Sequence, residues 1–592
     1  MSHKITFVHA PVIQYDQNYG TLFSPLWAYT LAAHIPARWD IEIFDCIVHD
    51  PDGMGAADIF AFSGINQDID SVRLVLHRLR ARHPQATFII GGPITWSLEQ
   101  EGKLAFLNCF DFIFILDGER TLPDFLARFE AGAHKDLDKV IRADRFPMGE
   151  ARPIRFDLYR DNIRHYYGAV IEVSRGCPFL CEFCDIRVLP GNNRSNNKDV
   201  ALIVRELDEY CKLGVTQFQF ACDNFIGDIA WARKCVDAII EWKRRTKKKI
   251  SIFTWLTINL YKMPDLMAKM RQAGFSILFI GVESVNQNSL LETAKVQNGP
   301  ALGPAVREIQ SFGFIIAPGF IFGFDSDTET VFDDTLDFIA DVGLIGGDPS
   351  FLVALPGTPL FERMKRTGRL VEEIDDATVR RKIQTNIRYL LNAAFLSRGF
   401  IDFIGKYTAA DYQLRRFKNH LDLILNSNNF VVSDGVGYGS PREYIKLQFS
   451  DPLNRRMLFL RIAYLLHKPQ NLIAALRGWR MLKQASRRHP GLNIQFNYWI
   501  YVWTNIGLKY WRLRERDFSL HCVGKDFDVA RLLDTAPLPA GAGNPKSGDT
   551  KVAHQARYTN KALRNLVDRI AGGTAAGPGA AGGRHPTLAG GR

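Results

Sequence analysis

The sequence predicts an α/β protein in three parts: an N-terminal Rossmann-like domain, a partial (βα)6 barrel of parallel strands and a mainly helical C-terminal region. Short apolar segments alternate with helical patterns over residues 4–130 and again over residues 169–355, which is typical of parallel sheets covered by helices. Beyond residue 371 the strand patterns give way to helical ones. A chain of 592 residues is also too long for a single domain.

Shifts in pattern and composition predict five segments. The Rossmann-like domain is expected at residues 1–140, a surface linker rich in charge and proline at 141–165, and the barrel at 166–370. A helical domain rich in basic and aromatic residues follows at 371–535. Residues 536–592 are rich in Gly, Ala and Pro, which predicts a largely disordered tail.

In the first domain we expect strands at residues 4–8, 41–45, 58–63, 87–91 and 111–116, and helices at 25–34, 69–82 and 122–129. Ligands of such sheets bind beyond the carboxyl ends of the strands. The residues expected there are small or turn-forming: Ser63, Gly64, Gly91, Gly92, Pro93, Asp117, Gly118 and Glu119. Glycines let a planar or phosphate-bearing ligand approach the backbone. Ordinary turn chemistry is the alternative interpretation.

The barrel is predicted from six strand-like segments, at residues 169–174, 216–221, 250–256, 276–282, 314–322 and 347–355. Helical patterns lie between them, at residues 199–213, 229–245, 264–273, 304–312 and 329–342. The reactive face of such a barrel is at the carboxyl ends of its strands. A cysteine-rich loop follows the first strand directly, so we expect that loop at the mouth of the barrel.

Three of the nine cysteines, Cys177, Cys181 and Cys184, have the spacing C-x3-C-x2-C. Thiolates so spaced on one loop can each bind one iron of a cubic 4Fe–4S cluster, which leaves the fourth iron open to a small molecule. A structural zinc site would take four ligands, usually from two C-x2-C pairs, and the sequence has no second pair. Few cysteines, unevenly spread, indicate a reduced intracellular chain and not a disulfide framework.

The cysteine loop, with Phe183 before its last cysteine and a predicted strand ahead of it, resembles that of the radical SAM superfamily. In that family the open iron binds S-adenosylmethionine, and reductive cleavage gives a 5′-deoxyadenosyl radical. The resemblance implies S-adenosylmethionine contacts at Phe183, Asp223, Asn224, Glu283, Gly319, Ile321 and Gly323. A salt-bridged carboxylate at Glu283 and a helix N-cap at Asp223 are the alternatives.

A Rossmann-like domain ahead of such a barrel resembles the cobalamin-binding subgroup, which implies cobalamin at the eight turn residues named above. The D-x-H-x-x-G motif is absent, so cobalamin is expected without a lower histidine ligand from that motif. Segments 223–227, 279–283, 323–328 and 354–359 narrow the resemblance to the branch that contains the hopanoid C-2 methylases. Two departures, Cys222 and segment 185–194, lie near the expected pocket. Cys222 is either a thiol facing the substrate or an inert core residue.

The resemblance implies a cobalamin-dependent C-methyltransferase. The radical would take hydrogen from an unactivated carbon of a hydrophobic, lipid- or isoprenoid-like substrate, which would then receive the methyl group of methylcobalamin. No catalytic residue is assigned. A radical SAM oxidative cyclase acting on a tetrapyrrole-like substrate and a non-catalytic cobalamin or redox sensor remain as alternatives. An electron donor such as flavodoxin or ferredoxin is the expected partner.

Residues 452–516 contain 13 Lys or Arg and one acid, Glu515, interleaved with Trp and Tyr. Basic, aromatic helices suit an anionic membrane surface. A solvated face packed on the barrel and an RNA-binding face are alternatives, although no RNA-binding module is recognisable. No apolar run is long enough to predict a transmembrane helix. The expected location is the cytoplasm, with peripheral association at the inner membrane face.

Overall fold

The computed structural model describes residues 3–11, 24–160, 162–166, 168–299, 301–371, 385–433, 449, 452–511, 520–533 and 559–570. The first sheet contains β1 (Lys4–His9), β2 (Asp40–Asp45), β3 (Ile59–Ser63), β4 (Thr87–Gly91), β5 (Phe112–Ile115) and β6 (Val140–Arg142). Its helices are α1 (Leu26–Ala32), α2 (Ile69–Arg82), α3 (Pro93–Gln100) and α4 (Gly118–Glu130). The strands are parallel and lie in the order β2-β1-β3-β4-β5-β6. This confirms the Rossmann-like prediction.

The central position of β3 explains why the sheet of the first domain could be predicted from the sequence. Every residue of β3 is buried, as expected for a central parallel strand covered by helices on both faces. The strand order changes direction between β1 and β3, and ligands of doubly wound sheets bind at that switch point. The sequence missed α3 and β6, both of which are short.

The second sheet is the predicted partial barrel. In chain order its region contains α5 (Phe156–Arg160), β7 (Ala169–Glu172), β8 (Ser174–Arg175), β9 (Asn196–Asn197), α6 (Val200–Lys212), β10 (Gln217–Ala221), α7 (Ile229–Thr246), β11 (Ser251–Leu256), α8 (Pro264–Ala273), β12 (Phe275–Glu283), α9 (Gln287–Glu292), α10 (Leu302–Ser311), β13 (Ile315–Phe322), α11 (Val331–Asp341), β14 (Asp348–Phe351) and α12 (Pro359–Arg366). Six parallel strands pair in the order β14-β13-β12-β11-β10-β7. The short strands β8 and β9 pair separately and hold the two ends of the cysteine loop together.

The prediction of a surface linker at residues 141–165 is wrong in its surface character. Phe146, Met148 and Tyr159 are buried, and the Tyr159 hydroxyl donates to the carbonyl of Gly168 at the start of the barrel. The charged residues of this stretch masked its apolar ones, which are spaced too irregularly to show a periodic pattern.

The C-terminal region is mainly helical, as predicted. It contains β15 (Arg388–Tyr389), α13 (Ala393–Tyr407), α14 (Ala410–Leu425), α15 (Pro452–His467), α16 (Pro469–Ala485), α17 (Asn493–Tyr510) and β16 (His521–Cys522). Its core is built around Trp499, which stacks on Phe417 with ring centroids 4.4 Å apart, and Trp503. Both indoles are fully buried, so these tryptophans belong to the core and not to an interfacial surface.

Within the tail at residues 536–592, predicted to be largely disordered, residues 559–570 form a helix that the sequence analysis did not predict. Leu563 and Leu566 are buried there against Leu532. Two leucines three residues apart give a helix one apolar stripe, which suffices when a partner surface is present. Most of the predicted tail lies outside the described residues.

Candidate active site

The cysteine loop leaves the first barrel strand through Gly176, whose φ of +94° only glycine adopts easily. A Cβ at this position would lie 2.2 Å from the carbonyl oxygen of Arg194. The amide of Cys177 donates to the carbonyl of Asn192 at 2.9 Å. The loop is therefore folded back onto residues 192–194, with all three cysteines along one cavity wall at the barrel mouth.

Hydrogen-bond donors face two of the three thiols. The amide nitrogen of Gln297 lies 3.4 Å from Cys181 Sγ, and that of Asn224 lies 3.9 Å from Cys177 Sγ. Burial raises the pKa of the Cys177 and Cys184 thiols. Metal binding deprotonates such thiols outright, and donors of this kind stabilise the resulting thiolates.

The donor set suits an iron–sulfur cluster better than a single metal ion. Among the described residues, no three His, Cys, Asp or Glu side chains converge on one point as ligands of a single ion would. A cubic cluster takes each thiolate on a different iron, so its ligands surround a volume and need not meet at a point. Three cysteines on one cavity wall fit that requirement.

Glu182, between the second and third loop cysteines, ties the loop to the far side of the barrel. Its carboxylate accepts from Arg363 Nε at 3.0 Å, and Arg363 Nη1 donates to Asp325 at 2.8 Å. Arg369 also binds Asp325, with one contact at 2.6 Å. All four side chains are buried. The loop therefore depends on a buried ion network contributed by the ends of β13 and α12.

A cavity of about 540 Å³ opens beside the three cysteines. Phe183 and Glu283 line it, and Glu283 forms a buried ion pair with Lys295 at 2.7 Å. Glu283 has a φ of +63°, and non-glycine residues held in this region cluster at functional sites. Burial alone would lower the pKa of Lys295, but the negative charges of Glu283 and of an ionised Cys181 outweigh burial and raise it.

The second strand of the barrel places two acidic or polar groups at the same mouth. Asp223 accepts from the Gly176 amide at 2.5 Å, and burial raises its pKa. Cys222 also lines the cavity, with its sulfur 3.3 Å from Thr254 Oγ1, and burial raises its pKa to about 12. The Cys222 side chain is therefore a neutral thiol at physiological pH. Asp223 is not the N-cap of the next helix, because Asp228 caps it.

The glycine segment of the fifth barrel strand behaves differently from the residues just described. Gly319, Ile321 and Gly323 are not among the residues that line the 540 Å³ cavity. A Cβ on Gly323 would lie 2.5 Å from the Tyr389 ring, and its amide donates to Asp327 at 2.9 Å. Gly319 lies next to the lining residues, since a Cβ there would be 3.3 Å from the Phe279 ring and 3.5 Å from a Glu283 carboxylate oxygen. The predicted contact of this segment with S-adenosylmethionine stays a prediction.

Buried polar atoms without partners lie at or beside the same cavity. Ser174 Oγ and Gln297 Oε1, on lining residues, and Asn224 Oδ1, on a residue beside Cys177, make no hydrogen bond to any described residue. Unpaired buried acceptors are costly, and a bound ligand is one way to satisfy them. Together with Glu283, Lys295 and Asp223, they suit a zwitterionic ligand such as the amino-acid end of S-adenosylmethionine.

A second cavity, of about 340 Å³, lies at the carboxyl ends of the first sheet. Seven of the eight predicted turn residues line it: Ser63, Gly91, Gly92, Pro93, Asp117, Gly118 and Glu119; Gly64 does not. Gly92 has a φ of +85°, and a Cβ there would lie 2.2 Å from Ser63 Oγ. The turn thus brings bare backbone to the cavity wall, which suits a broad planar ligand. No histidine is among the described residues on that wall.

The two acidic side chains among these turn residues, Asp117 and Glu119, already form ion pairs. Asp117 pairs with Arg145 at 2.6 Å, and Glu119 pairs with Arg175 at 2.5 Å. Arg175 also binds Glu172 at the end of the first barrel strand, at 2.7 Å. Asp117 and Glu119 therefore fasten the first sheet to the barrel, a role that the sequence analysis missed because no local pattern reveals a partner so far along the chain.

The two cavities adjoin. Glu172, Arg175, Ile186 and Asp223 line both of them. The first sheet thus covers the mouth of the barrel, and whatever binds at its strand ends faces the cysteine loop. Sequence reasoning also missed Lys295, Gln297 and Trp255 on the barrel side, since none stands in a recognisable motif.

The sequence and fold match one family. Residues 171–339 match the radical SAM superfamily. The chain is 30% identical over 407 residues to an uncharacterized methyltransferase, sll1242, of Synechocystis sp., covering 68% of this chain and 72% of that protein. The chain therefore belongs to the radical SAM superfamily, and it is an enzyme.

Several of the relatives are methyltransferases by name. The hopanoid C-2 methylase of Rhodopseudomonas palustris is 28% identical over 375 residues, with 62% of this chain and 69% of that protein covered. This agrees with the branch indicated by the sequence segments.

Solved structures agree on the fold. The cobalamin-dependent S-adenosylmethionine radical enzyme OxsB superposes with a TM-score of 0.54 at 16% identity, over 96% of this chain and 84% of OxsB. The radical S-adenosylmethionine methyltransferase TsrM of Kitasatospora setae, with cobalamin and a [4Fe-4S] cluster bound, gives 0.50 at 14% identity, over 62% and 76%. The sheet, barrel and helical regions therefore follow one shared architecture.

Among the residues that the structure describes, no helix is both long and apolar enough to cross a membrane.

Proposed function

We propose that this enzyme is a cobalamin-dependent radical SAM C-methyltransferase that acts on an unactivated carbon of a hydrophobic, lipid- or isoprenoid-like substrate. The observation that carries the proposal is the pair of adjoining cavities, one beside the three cysteines and the other at the glycine turns of the first sheet. The relatives named as methyltransferases, and the structural neighbours TsrM and OxsB with cobalamin bound, support the same assignment.

The two cavities would together hold three groups. Cys177, Cys181 and Cys184 would bind a 4Fe–4S cluster, and the polar groups around Glu283 and Asp223 would bind S-adenosylmethionine. The turns at Gly92 and Gly118 would bind cobalamin. When bound, the cluster with S-adenosylmethionine supplies a hydrogen-abstracting radical, and cobalamin supplies the methyl group.

The residues of this chain would position these groups and exclude water. The Glu182 network fixes the cysteine loop, and the clamp of Arg145 and Arg175 fixes the distance between the two binding walls. Gln297 and Asn224 donate toward the thiols, which favours their ionised form. The ion pair of Lys295 with Glu283 presents both signs of charge to a zwitterionic ligand.

The barrel cavity has apolar lining residues besides the charged ones assigned to S-adenosylmethionine, and these apolar residues favour a hydrophobic substrate. Phe179, Trp255, Leu256 and Phe279 contribute to its wall. Such a wall gives an apolar substrate a water-excluded site without directional hydrogen bonds, and water exclusion protects a reactive intermediate. We also propose a cytoplasmic location with peripheral association at the membrane, because a lipid-like substrate resides in the membrane. A small electron donor such as flavodoxin or ferredoxin would reduce the enzyme.

Cofactor content tests the binding assignments directly. Full-length protein, reconstituted anaerobically with iron and sulfide, should hold about four irons per chain and show cluster absorbance. Cys177→Ala, Cys181→Ala and Cys184→Ala should each lower iron content sharply. Cys109→Ala, at a half-buried cysteine of the first domain, is the matched control and should keep it. Full iron content in all three loop variants would overturn the ligand assignment.

Product analysis tests the reaction class. With dithionite, S-adenosylmethionine and cobalamin, the wild-type protein should form 5′-deoxyadenosine, and a substrate should gain one CH2 in mass. Loss of hydrogens without that gain would support the cyclase alternative. Absence of 5′-deoxyadenosine under every condition would support the sensor alternative and exclude the radical mechanism.

A further inference from the structure

Helices α15 and α16 present an unusual amount of apolar surface to solvent. The outward side chains, here called the docking face, are Phe459, Ile462, Leu466, Leu472, Ile473, Leu476 and Trp479. Their exposed fractions run from 37% for Leu472 to 58% for Phe459 and Leu466. Isolated exposed apolar residues are ordinary, but a continuous group on two adjacent helices marks an interaction site.

The spacing of these residues shows that the docking face is a true helical stripe. Phe459, Ile462 and Leu466 follow the i, i+3, i+7 spacing of one helix face. Leu472, Leu476 and Trp479 follow i, i+4, i+7 on the next helix, which Lys468 alone separates from the first. Each helix therefore presents one exposed apolar stripe, and the two helices follow one another directly along the chain.

The core does not need this surface. The opposite side of α16 is already buried through Ala474, Ala475, Gly478 and Leu482, and a Cβ on Gly478 would lie 2.5 Å from the Trp499 ring. Because the helix packs closely through its small residues, its large ones are free to face outward. Their exposure has no role in the fold itself.

The two helices of the docking face carry basic side chains and no Asp or Glu. Residues 452–511 contain ten Lys or Arg and no Asp or Glu. Arg477, Arg480 and Lys483 alternate with the apolar stripe of α16 and are exposed, and Lys483 lies 5.1 Å from the Trp479 ring. Apolar side chains flanked by cations match the two layers of an anionic bilayer surface, namely acyl chains beneath phosphate headgroups.

The basic and apolar side chains of the docking face disfavour two other occupants, a second copy of the chain and RNA. A second copy of the chain would set basic side chains against basic side chains. RNA would leave the three leucines and two isoleucines of the face unpaired. Phe459 and Trp479 offer rings on which bases can stack, but Trp499 and Trp503 are buried.

We infer that the docking face binds the surface of an anionic lipid bilayer, with the apolar stripe of α15 and α16 inserted among the lipid chains and the flanking Arg and Lys at the headgroups. This inference names the surface that would carry out the membrane association proposed above, and it rests on that proposal. It does not depend on methyl transfer, because vesicle binding is measured without turnover.

Vesicle sedimentation with the full-length protein tests the inference. Binding to phosphatidylcholine mixed with phosphatidylglycerol should exceed binding to phosphatidylcholine alone and should weaken with salt. The variant Arg477→Gln/Arg480→Gln/Lys483→Gln should lose roughly fivefold in affinity per charge, or about a hundredfold in total. The variant Ile473→Gln/Leu476→Gln/Trp479→Gln should lose binding at every salt concentration.

Two matched controls remove the same chemistry elsewhere. Lys247→Gln/Lys248→Gln/Lys249→Gln removes three exposed cations beyond α7, and Leu74→Gln/Phe106→Gln/Ile229→Gln removes three exposed apolar side chains. Both should bind vesicles within about twofold of wild type, a margin set by ordinary surface substitutions. Circular dichroism of each variant checks that the helices remain folded.

Several outcomes would overturn the inference. Wild type that ignores anionic vesicles would exclude membrane docking altogether, and docking-face variants that bind like the controls would exclude this surface. Concentration-dependent dimerisation abolished by the apolar variant would identify a second copy as the occupant. Binding to RNA that the basic variant loses and the apolar variant keeps would identify a nucleic acid. Production of 5′-deoxyadenosine in detergent, measured in parallel, reports failure of the proposed catalytic function separately.

Discussion

Replacement of Arg363 by Met should detach the cysteine loop from the barrel. The Arg363 side chain is 2% exposed and joins Glu182, 7% exposed, to Asp325, 3% exposed. Asp325 keeps Arg369 after the substitution, but Glu182 loses its ion-pair partner. Removal of one partner from a buried pair costs about 3–5 kcal/mol, since it leaves a charge in a low-dielectric interior. That is a large part of the roughly 5–15 kcal/mol that stabilises a typical domain.

The control is a surface ion pair made from the same residue types. Arg307 pairs with Asp341, and their side chains are 38% and 70% exposed. Arg307→Met should therefore cost no more than about 1 kcal/mol. The double variant Glu182→Gln/Arg363→Met removes the buried charge together with its partner, so it should recover most of the loss seen in Arg363→Met.

Two measurements read the effect. Hydrogen exchange followed by mass spectrometry should show lower protection in the peptide that contains Glu182, and reconstituted Arg363→Met should hold less iron than Arg307→Met. Equal protection and iron content in Arg363→Met and Arg307→Met would refute the role of Arg363. A double variant as destabilised as the sum of its single variants would also refute it, because the two residues would then not interact.

Three further predictions concern other parts of the molecule. Burial raises the pKa of Asp327 to about 7, above its unfolded value of roughly 3.9. The contribution of Asp327 to stability is therefore complete below about pH 4 and is lost as the pH rises through 7. Urea midpoints of Asp327→Asn measured from pH 4 to 8 should change less with pH than those of wild type, and equal slopes would refute this. Trp503→Ala should lower the free energy of unfolding by about 3–5 kcal/mol because the indole is fully buried. Trp479→Ala, at a side chain 47% exposed, should change it by no more than about 0.5 kcal/mol. Similar urea midpoints for both variants would contradict the assignment of Trp503 to the core. Gly92→Ala should lower cobalamin uptake, measured by absorbance of the purified protein, because the new Cβ would collide with Ser63 at a φ that only glycine adopts easily. The control is Gly53→Ala, where a Cβ meets nothing within 4 Å. Equal uptake by both variants would contradict the role of this turn.

Elements with strong periodicity were predictable almost to the residue. The predicted helices at residues 69–82 and 264–273 coincide with α2 and α8, and the predicted strand at 87–91 coincides with β4. Their apolar residues recur with a single period, and turn-forming residues bound them. The stretch 141–165 failed for the opposite reason, because its buried side chains are held by partners from two domains and show no period of their own.

The aromatic residues of the C-terminal region show the same limit. Composition groups Trp479, Trp499 and Trp503 together with the basic residues. Only packing separates them: Trp499 and Trp503 stack in the core, with ring centroids 5.5 Å apart, and Trp479 faces solvent. A helix buries one face and exposes the other, and which face is buried depends on its neighbours.

By itself, the sequence determined the family, the two parallel sheets and the cysteine loop, because each depends on spacing along a short stretch of chain. Only the tertiary structure decided what stands around that loop. The network of Glu182 with Arg363, the pairing of Glu283 with Lys295 and the clamp of Arg175 on Glu119 join side chains from 12 to 181 residues apart. Partners at such separations are selected by the folded geometry and by the cost of leaving a buried charge unpaired, and neither is written in any local pattern.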